Sequence, residues 1–371
     1  MEALQATQNQ IAGPAAITPD LFTEYLEYLD ATARTTKDYI VNLRQFAVWM
    51  KYANVTQPTR ADVISYRDWL TSEHEAITLQ DSPKGWGYRL DKEGGHITVT
   101  LKATTVCAYM QSVKAFFSWT ESRGIYPNIT QRVRLPKIAR THKKDALRAA
   151  DVVAIENSIK ALAADKEAAA GNAKKDRAGR AARATEQGAR DYAMFVLGVN
   201  AGLRTVEISR ANVKDLETIG GQSYLYVWGK GHAEADTKVP ISHTARSAID
   251  DYLAIRASST AGNTPLFVST GNRSGGKRMQ PKTISAIIKK AMKDAGYSSD
   301  RLTAHSMRHT TAAMALQATG NNIYEVQATL RHTTTVPSQQ YLDELKAEQR
   351  AGIAENLDAM LEEERAKQRE S

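Results

Sequence analysis

Residues 303–310 read Thr-Ala-His-Ser-Met-Arg-His-Thr, and well upstream a second segment reads Ala201-Gly-Leu-Arg-Thr-Val-Glu207. The first leads into a helix over Ser306–Thr319, and the second follows an apolar helix that contains Ala193–Val199. His305 and His309 are four apart, the spacing of a helical zinc pair. The residues between them are Ser306, Met307 and Arg308, with no glutamate to act as a base and with a cation where a metal would sit. Zinc is therefore rejected. Working outward, Glu207 lies three residues after Arg204, Lys230 sits in a Gly-Lys-Gly turn, His332 follows Leu330-Arg331, and Tyr341 comes nine residues later. Taken singly, these residues have ordinary roles: an ion pair for Arg204, a helix cap for His332, a core position for Tyr341.

Taken together they fit nucleophilic attack on a phosphodiester. The transition state gathers negative charge on the non-bridging oxygens, and two guanidinium forks match that geometry better than ammonium groups do. A tyrosine hydroxyl, with an ordinary pKa of about 10, attacks once its proton is removed in an electrostatically favourable site. The leaving 5′ oxygen needs a proton, which a lysine on a hairpin can donate, and histidines can hydrogen-bond the phosphate near neutral pH. Two arginines and a lysine supply the positive charge, so the expectation is no metal and no cofactor. A second glycine-rich segment, Gly271–Arg278, has the glycine and lysine spacing of a phosphate-binding loop. It ends in Arg278 where a magnesium-holding hydroxyl belongs, and reads as a turn after a strand at Leu266–Ser269.

The ordered set Arg204, Lys230, His305-x-x-Arg308, His332, Tyr341 resembles the tyrosine recombinase/integrase family, and the resemblance covers most of the chain. It implies that Arg204, Lys230, His305, Arg308 and His332 activate a phosphate, that Tyr341 is the nucleophile, and that Glu207 positions an arginine. Lys238 is the rival to Lys230 as general acid, and Tyr324 the lesser rival to Tyr341. The family usually has glycine where this chain has Arg331, which is expected to add a DNA contact. Pro337 suggests a tyrosine segment less helical than usual.

The implied activity is site-specific DNA recombination through a 3′-phosphotyrosyl intermediate and a Holliday junction, integrating or excising a mobile element. The implied partners are double-stranded DNA sites, a homotetramer on DNA, and an accessory DNA-bending or directionality factor. The alternatives are type IB topoisomerase-like relaxation and a non-catalytic DNA-binding regulator. The implied fold class is mainly α with a small β-sheet (α+β), a helical core-binding domain and a mixed α/β catalytic domain closing on duplex DNA as a C-shaped clamp.

Composition agrees with such a protein. The 371 residues are 42% hydrophobic and 24% charged, with 49 Lys+Arg against 41 Asp+Glu and one cysteine, Cys107. No signal peptide, membrane span or disulfide framework is legible, and a cytoplasmic protein, nucleoid-associated when bound to DNA, is expected. The residues after Tyr341 carry net −4, so the rest carries +12. The densest basic segment holds Arg132, Arg134, Lys137, Arg140, Lys143 and Lys144 and is expected to contact phosphates.

The domain expectation follows from these patterns. Residues 1–17 read as a flexible tail, 18–130 as a helical DNA-binding domain and 131–145 as a basic linker. In the helical domain Tyr39, Ile40, Leu43, Phe46, Ala47 and Met50 share a face. Residues 81–96 form a polar excursion ahead of a short strand at Ile97–Leu101. Residues 146–342 form the catalytic domain, with a hairpin of Ser223–Trp228 and Thr237–Ile241. Inside it, 160–190 is an alanine-rich insert whose glycines break a helix, read as a mobile surface excursion. Residues 343–371, together with Leu342 just before them, carry Leu345, Ile353, Leu357, Met360 and Leu361 as an apolar stripe, which the resemblance assigns to subunit exchange.

Overall fold

Two units emerge along the chain, Met1–Arg140 and Thr141–Ser371. They are seen in a computed structural model that describes residues 17–29, 33–77, 87–138, 146–172, 176–229, 234–271, 274–335, 338–339, 341–343, 346, 356, 358–362 and 365. The structure is mainly helical with small antiparallel sheets. No helix among the described residues is long and apolar enough to cross a membrane.

The first unit holds α1 (Pro19–Tyr28), α2 (Ala33–Tyr52), α3 (Arg60–Thr71), β1 (His74–Glu75), β2 (Thr98–Val99) and α4 (Ala103–Ser122). Local chemistry starts α3: the Asp62 N–H donates to Thr59 Oγ1 at 3.4 Å, and the Thr59 N–H donates to Asp62 Oδ2 at 2.7 Å. This reciprocal pairing satisfies donors that a helix start leaves over. The α2 face expected from spacing is the one turned inward, with Leu43, Phe46 and Met50 buried against Tyr25, Tyr66, Phe116 and Phe117. In the polar excursion, residues 81–86 lie outside the described residues. The remainder folds back, stacking Tyr88 on Tyr52 at 4.1 Å and pairing His96 with Glu75 at 2.7 Å.

The start of the expected linker is a strap on this unit rather than a tether. Lys114 Nζ donates to the Val133 carbonyl at 2.8 Å, Arg67 Nη1 to that of Arg134 at 3.2 Å, and Cys107 Sγ to that of Pro136 at 3.5 Å. Val133 is buried while Arg132, Arg134 and Lys137 stay exposed. The division between units accordingly falls at Arg140/Thr141, later than residue 130.

The second unit holds α5 (Ala149–Gly171), α6 (Arg177–Ala201), α7 (Thr205–Arg210), β3 (Leu216–Ile219), β4 (Gln222–Trp228), β5 (Ala235–Pro240), α8 (His243–Ile255), α9 (Pro281–Asp294), α10 (Ala304–Ala318) and α11 (Ile323–Leu330). The sheet runs β3-β4-β5, with Tyr226 opposite Lys238. The expected hairpin is β4–β5. β3 went unread because Leu216 alone turns partly toward the core and its other residues are exposed, so the strand shows no alternation. Leu266, Phe267 and Val268 are buried, but in place of a strand only Val268 forms an isolated bridge, to Arg278. Arg278 bolts that turn to α7 by donating to the Ser209 carbonyl at 2.7 Å. Residues 272 and 273 of the turn lie outside the described residues.

The apolar stretch at the end of α6 is buried on every side: Ala193, Met194, Phe195, Val196 and Leu197 are all 0% exposed. A helix apolar all round is a central helix, and this one carries the chain to the site below. The insert at 160–190 is a correction to the sequence reading. Apart from 173–175, which lie outside the described residues, it lengthens α5 and α6 into a helical pair. Gly188 does not break α6; it is where α5 crosses it, and a Cβ there would collide with that of Ala163. Gly188→Ala is therefore expected to destabilise the protein by about 1–3 kcal/mol through overpacking, despite alanine's better helix propensity. Ala163→Gly in the same chain should recover most of the loss in denaturant unfolding.

Candidate active site

Arg204 owes its position to a break in the chain. α6 ends at Gly202, which has φ +57°. A Cβ there would also meet Leu330 Cδ2 at 2.6 Å and Thr311 Cγ2 at 3.2 Å, so conformation and space both call for glycine. Two residues later Arg204 caps α7. Its N–H donates to Glu207 Oε2 at 2.8 Å, and its Nη1 donates to Glu207 Oε1 at 2.8 Å. Glu207 is 5% exposed.

Arg308 sits one turn into α10 and is 1% exposed. Its Nη1 donates to the Gly202 carbonyl at 2.6 Å, and its Nη2 donates to the Leu330 carbonyl. One guanidinium thus fastens the ends of α6 and α11 to α10. Burial, then Arg204 and Arg331, lower the Arg308 pKa to about 10, while Glu207 and Tyr341 pull the other way. It remains a cation at neutral pH.

α11 ends at Arg331, which adopts φ +56°. His332 follows, with Nδ1 hydrogen-bonded to Ser338 Oγ at 3.0 Å, and Ser338 is fully buried. Tyr341 lies in a helical stretch and is 8% exposed, packed with Ala312, Leu316, Val326, Leu330 and Leu342. Its ring lies 6.4 Å from that of His332 at 12° to it, and 4.9 Å from that of His309, edge-on. His305 is exposed in the first turn of α10, its ring 4.9 Å from that of His309. The His332 imidazole is pushed down to about 4 by burial first, then by Arg308, Arg204, Arg331 and His305. It is neutral at pH 7 and offers hydrogen bonds rather than charge.

Of the residues singled out from sequence, Arg204, Glu207, His305, Arg308, His332 and Tyr341 share this one neighbourhood of the second unit. Lys230 lies outside the described residues. Lys238 is exposed in the middle of β5, its Nζ 3.8 Å from the centre of the Tyr224 ring. Arg132, Arg134 and Lys137 lie on the strap of the first unit; Arg140, Lys143 and Lys144 lie outside the described residues. Tyr324 is 71% exposed on α11, and Met360 and Leu361 are exposed in the tail, where Leu345, Ile353 and Leu357 lie outside the described residues. Pro337 also lies outside them, yet the residues described on either side of Tyr341 are helical, against expectation.

Arg331 departs from its expected DNA contact: its guanidinium turns inward to the Thr329 carbonyl at 3.0 Å and to Glu207 Oε2 at 3.1 Å. Sequence reasoning also missed Ser338, whose only signal was a hydroxyl shortly before the tyrosine, and set His309 aside with the zinc pair.

Residues 174–348 match the phage integrase family. A tyrosine recombinase of Synechococcus elongatus is 33% identical over 161 residues, 43% of this chain and 49% of the relative. A tyrosine recombinase XerC of Corynebacterium glutamicum is 28% identical over 64% of this chain and 67% of the relative. The chain spans about half the length of the first of these relatives. A lambda integrase dimer bound to a COC′ core site superimposes with TM-score 0.58 at 14% identity, covering 88% of this chain and 95% of that one. A XerH site-specific recombinase bound to palindromic difH substrate does so with TM-score 0.51 at 19% identity, over 69% and 66%. These structures establish the fold. The second unit is thus similar to the phage integrase family over residues 174–348.

The lowered His332 pKa has a consequence for stability. Unfolded chains take up a proton as pH falls through 6.5, whereas the folded site refuses it until about pH 4. The contribution is present in full above pH 6.5 and is lost across that window as pH drops. Thermal melting followed from pH 7 to pH 4 should show that loss in the wild type and a flatter profile in His332→Asn.

Proposed function

We propose that the protein is a site-specific DNA recombinase, with Tyr341 as nucleophile and Arg204 and Arg308 as the guanidinium clamp on the scissile phosphate. The observation that carries the reading is the packing of Tyr341 against His332 beside a buried cation, Arg308, whose side-chain acceptors are neutral carbonyls. Such a site has positive charge left over for an anion.

In the reaction the Tyr341 oxygen bonds to phosphorus and passes its proton to a histidine of the site. The bond from phosphorus to the 5′ oxygen breaks, leaving a 3′-phosphotyrosyl link, and the 5′ oxygen takes a proton. His332, held through Ser338, and His305 hydrogen-bond the phosphate. Lys230 is the general acid, a reading supported by the engagement of Lys238 with the Tyr224 ring. A 5′ hydroxyl from a partner duplex then attacks the link, so strand exchange needs no nucleotide hydrolysis. Exchange passes through a Holliday junction in a tetramer, with the tail carrying subunit contacts and an accessory DNA-bending or directionality factor setting direction. The exposed Arg132, Arg134 and Lys137, with Arg140, Lys143 and Lys144, bind the DNA backbone. The DNA is that of a mobile element, and the protein acts in the cytoplasm on the nucleoid.

DNA covalently bound to the protein, recovered under denaturing conditions from cells carrying the gene with its flanking DNA, tests the assignment. Tyr341→Phe should abolish that adduct while native DNA binding persists; an undiminished adduct refutes the nucleophile. Relaxation of supercoiled plasmid lacking the mapped site would instead indicate a type IB topoisomerase. No adduct on any DNA would leave a non-catalytic DNA-binding regulator.

A further inference from the structure

We propose that Arg331 is a positioning residue, the counter-ion that lets Glu207 hold Arg204 without cancelling the positive charge Arg204 presents to the phosphate. The proposal rests on the recombinase reading and concerns a position where the resembled family usually has glycine. Glu207 is a single buried carboxylate serving two guanidinium groups. Its Oε1 accepts from Arg204 Nη1 at 2.8 Å, and its Oε2 accepts from the Arg204 N–H at 2.8 Å and from Arg331 Nη2 at 3.1 Å. Both terminal nitrogens of Arg331 also reach backbone carbonyls, while its Nε is buried without a partner. Nη1 reaches the Ala201 carbonyl at 3.3 Å and the Thr329 carbonyl at 3.0 Å, and Nη2 reaches the Gly202 carbonyl at 3.4 Å. Only 15% of its side chain is exposed, against 41% for Arg204. Arg331 therefore faces the carboxylate and Arg204 faces solvent, where a phosphate would arrive.

The charge count gives this arrangement its meaning. Arg204 and Arg308 against Glu207 leave a net charge of about +1, matching a ground-state phosphodiester. With Arg331 the site carries about +2, matching a phosphorane-like transition state that has gained a second negative charge. Gly202 links the parts, since its carbonyl accepts from both Arg308 and Arg331. The backbone at Arg331 has φ +56°, a conformation that disfavours every residue with a Cβ. The contacts of the side chain offset that strain.

The test uses the full chain, with Arg331→Met, Arg331→Lys and the double variant Arg331→Met/Glu207→Gln. Arg331→Gly, which suits the backbone, serves if the others fold poorly. Without DNA, the titration of His332 is followed by NMR of protein labelled with 15N-histidine. Removing the cation should raise its midpoint by about half a pH unit; lysine should keep the midpoint low, and adding Glu207→Gln should bring it back down. On DNA that the wild type cleaves, Arg331→Met should slow single-turnover adduct formation about tenfold with DNA binding unchanged, and Glu207→Gln should restore most of the rate. A purely structural staple would not be rescued by removing the carboxylate's charge. An unmoved His332 midpoint in the methionine and glycine variants, or a rate loss that Glu207→Gln does not relieve, overturns the proposal. If the wild type forms no adduct at all, the recombinase reading falls, and the charge role toward a phosphate falls with it. The DNA-free titration still decides, on its own, whether Arg331 offsets Glu207.

Discussion

A guanidinium buried against neutral carbonyls is the constraint around which the second unit is arranged. Arg308 is almost wholly enclosed, and its direct acceptors are the carbonyls of Gly202 and Leu330. Those carbonyls are available because two helices end there: α6 stops at a glycine in the left-handed region, and α11 stops at a residue in the same region. Helix C-termini leave carbonyls without intrahelical partners and carry partial negative charge. Burying a cation is costly, and two converging helix ends reduce that cost with no carboxylate hydrogen-bonded to Arg308. The fold thereby holds a charge it does not neutralise.

The rest of the site follows from that imbalance. Arg204 is oriented by Glu207, and Glu207 is shared with Arg331, so one carboxylate faces three guanidinium groups. Burial first, and then the excess positive charge, keeps His332 neutral, and the buried Ser338 hydrogen-bonds its Nδ1. Tyr341 packs into the apolar cluster between α10 and α11, which places its ring beside His332 rather than in solvent. Positive charge, a neutral hydrogen-bonding ring and a phenol therefore meet at one place.

Much of this was legible beforehand. The α2 face, the β4–β5 hairpin and most of α10 carry local signals of periodicity and turns, which depend on near neighbours in the chain. Features set by distant contacts were misread or missed. Gly188 looks like a helix breaker unless Ala163 is known to cross it. Residues 131–136 look like a linker unless Arg67 and Lys114 are known to reach their carbonyls. β3 shows no alternation and exists through its ladder to β4. Arg331 looks like a surface cation because only the folded chain sets a carboxylate from 124 positions earlier beneath it.

The sequence alone determined which chemistry was available: two arginines, a lysine, two histidines and a tyrosine in an order that resembles one family, on a basic chain with a helical pattern. Residue type and local period are written into the chain. Only the tertiary structure decided which cation faces outward and which is consumed inside. Burial, carbonyl direction and the sharing of one carboxylate depend on segments that meet in space across more than a hundred residues of sequence.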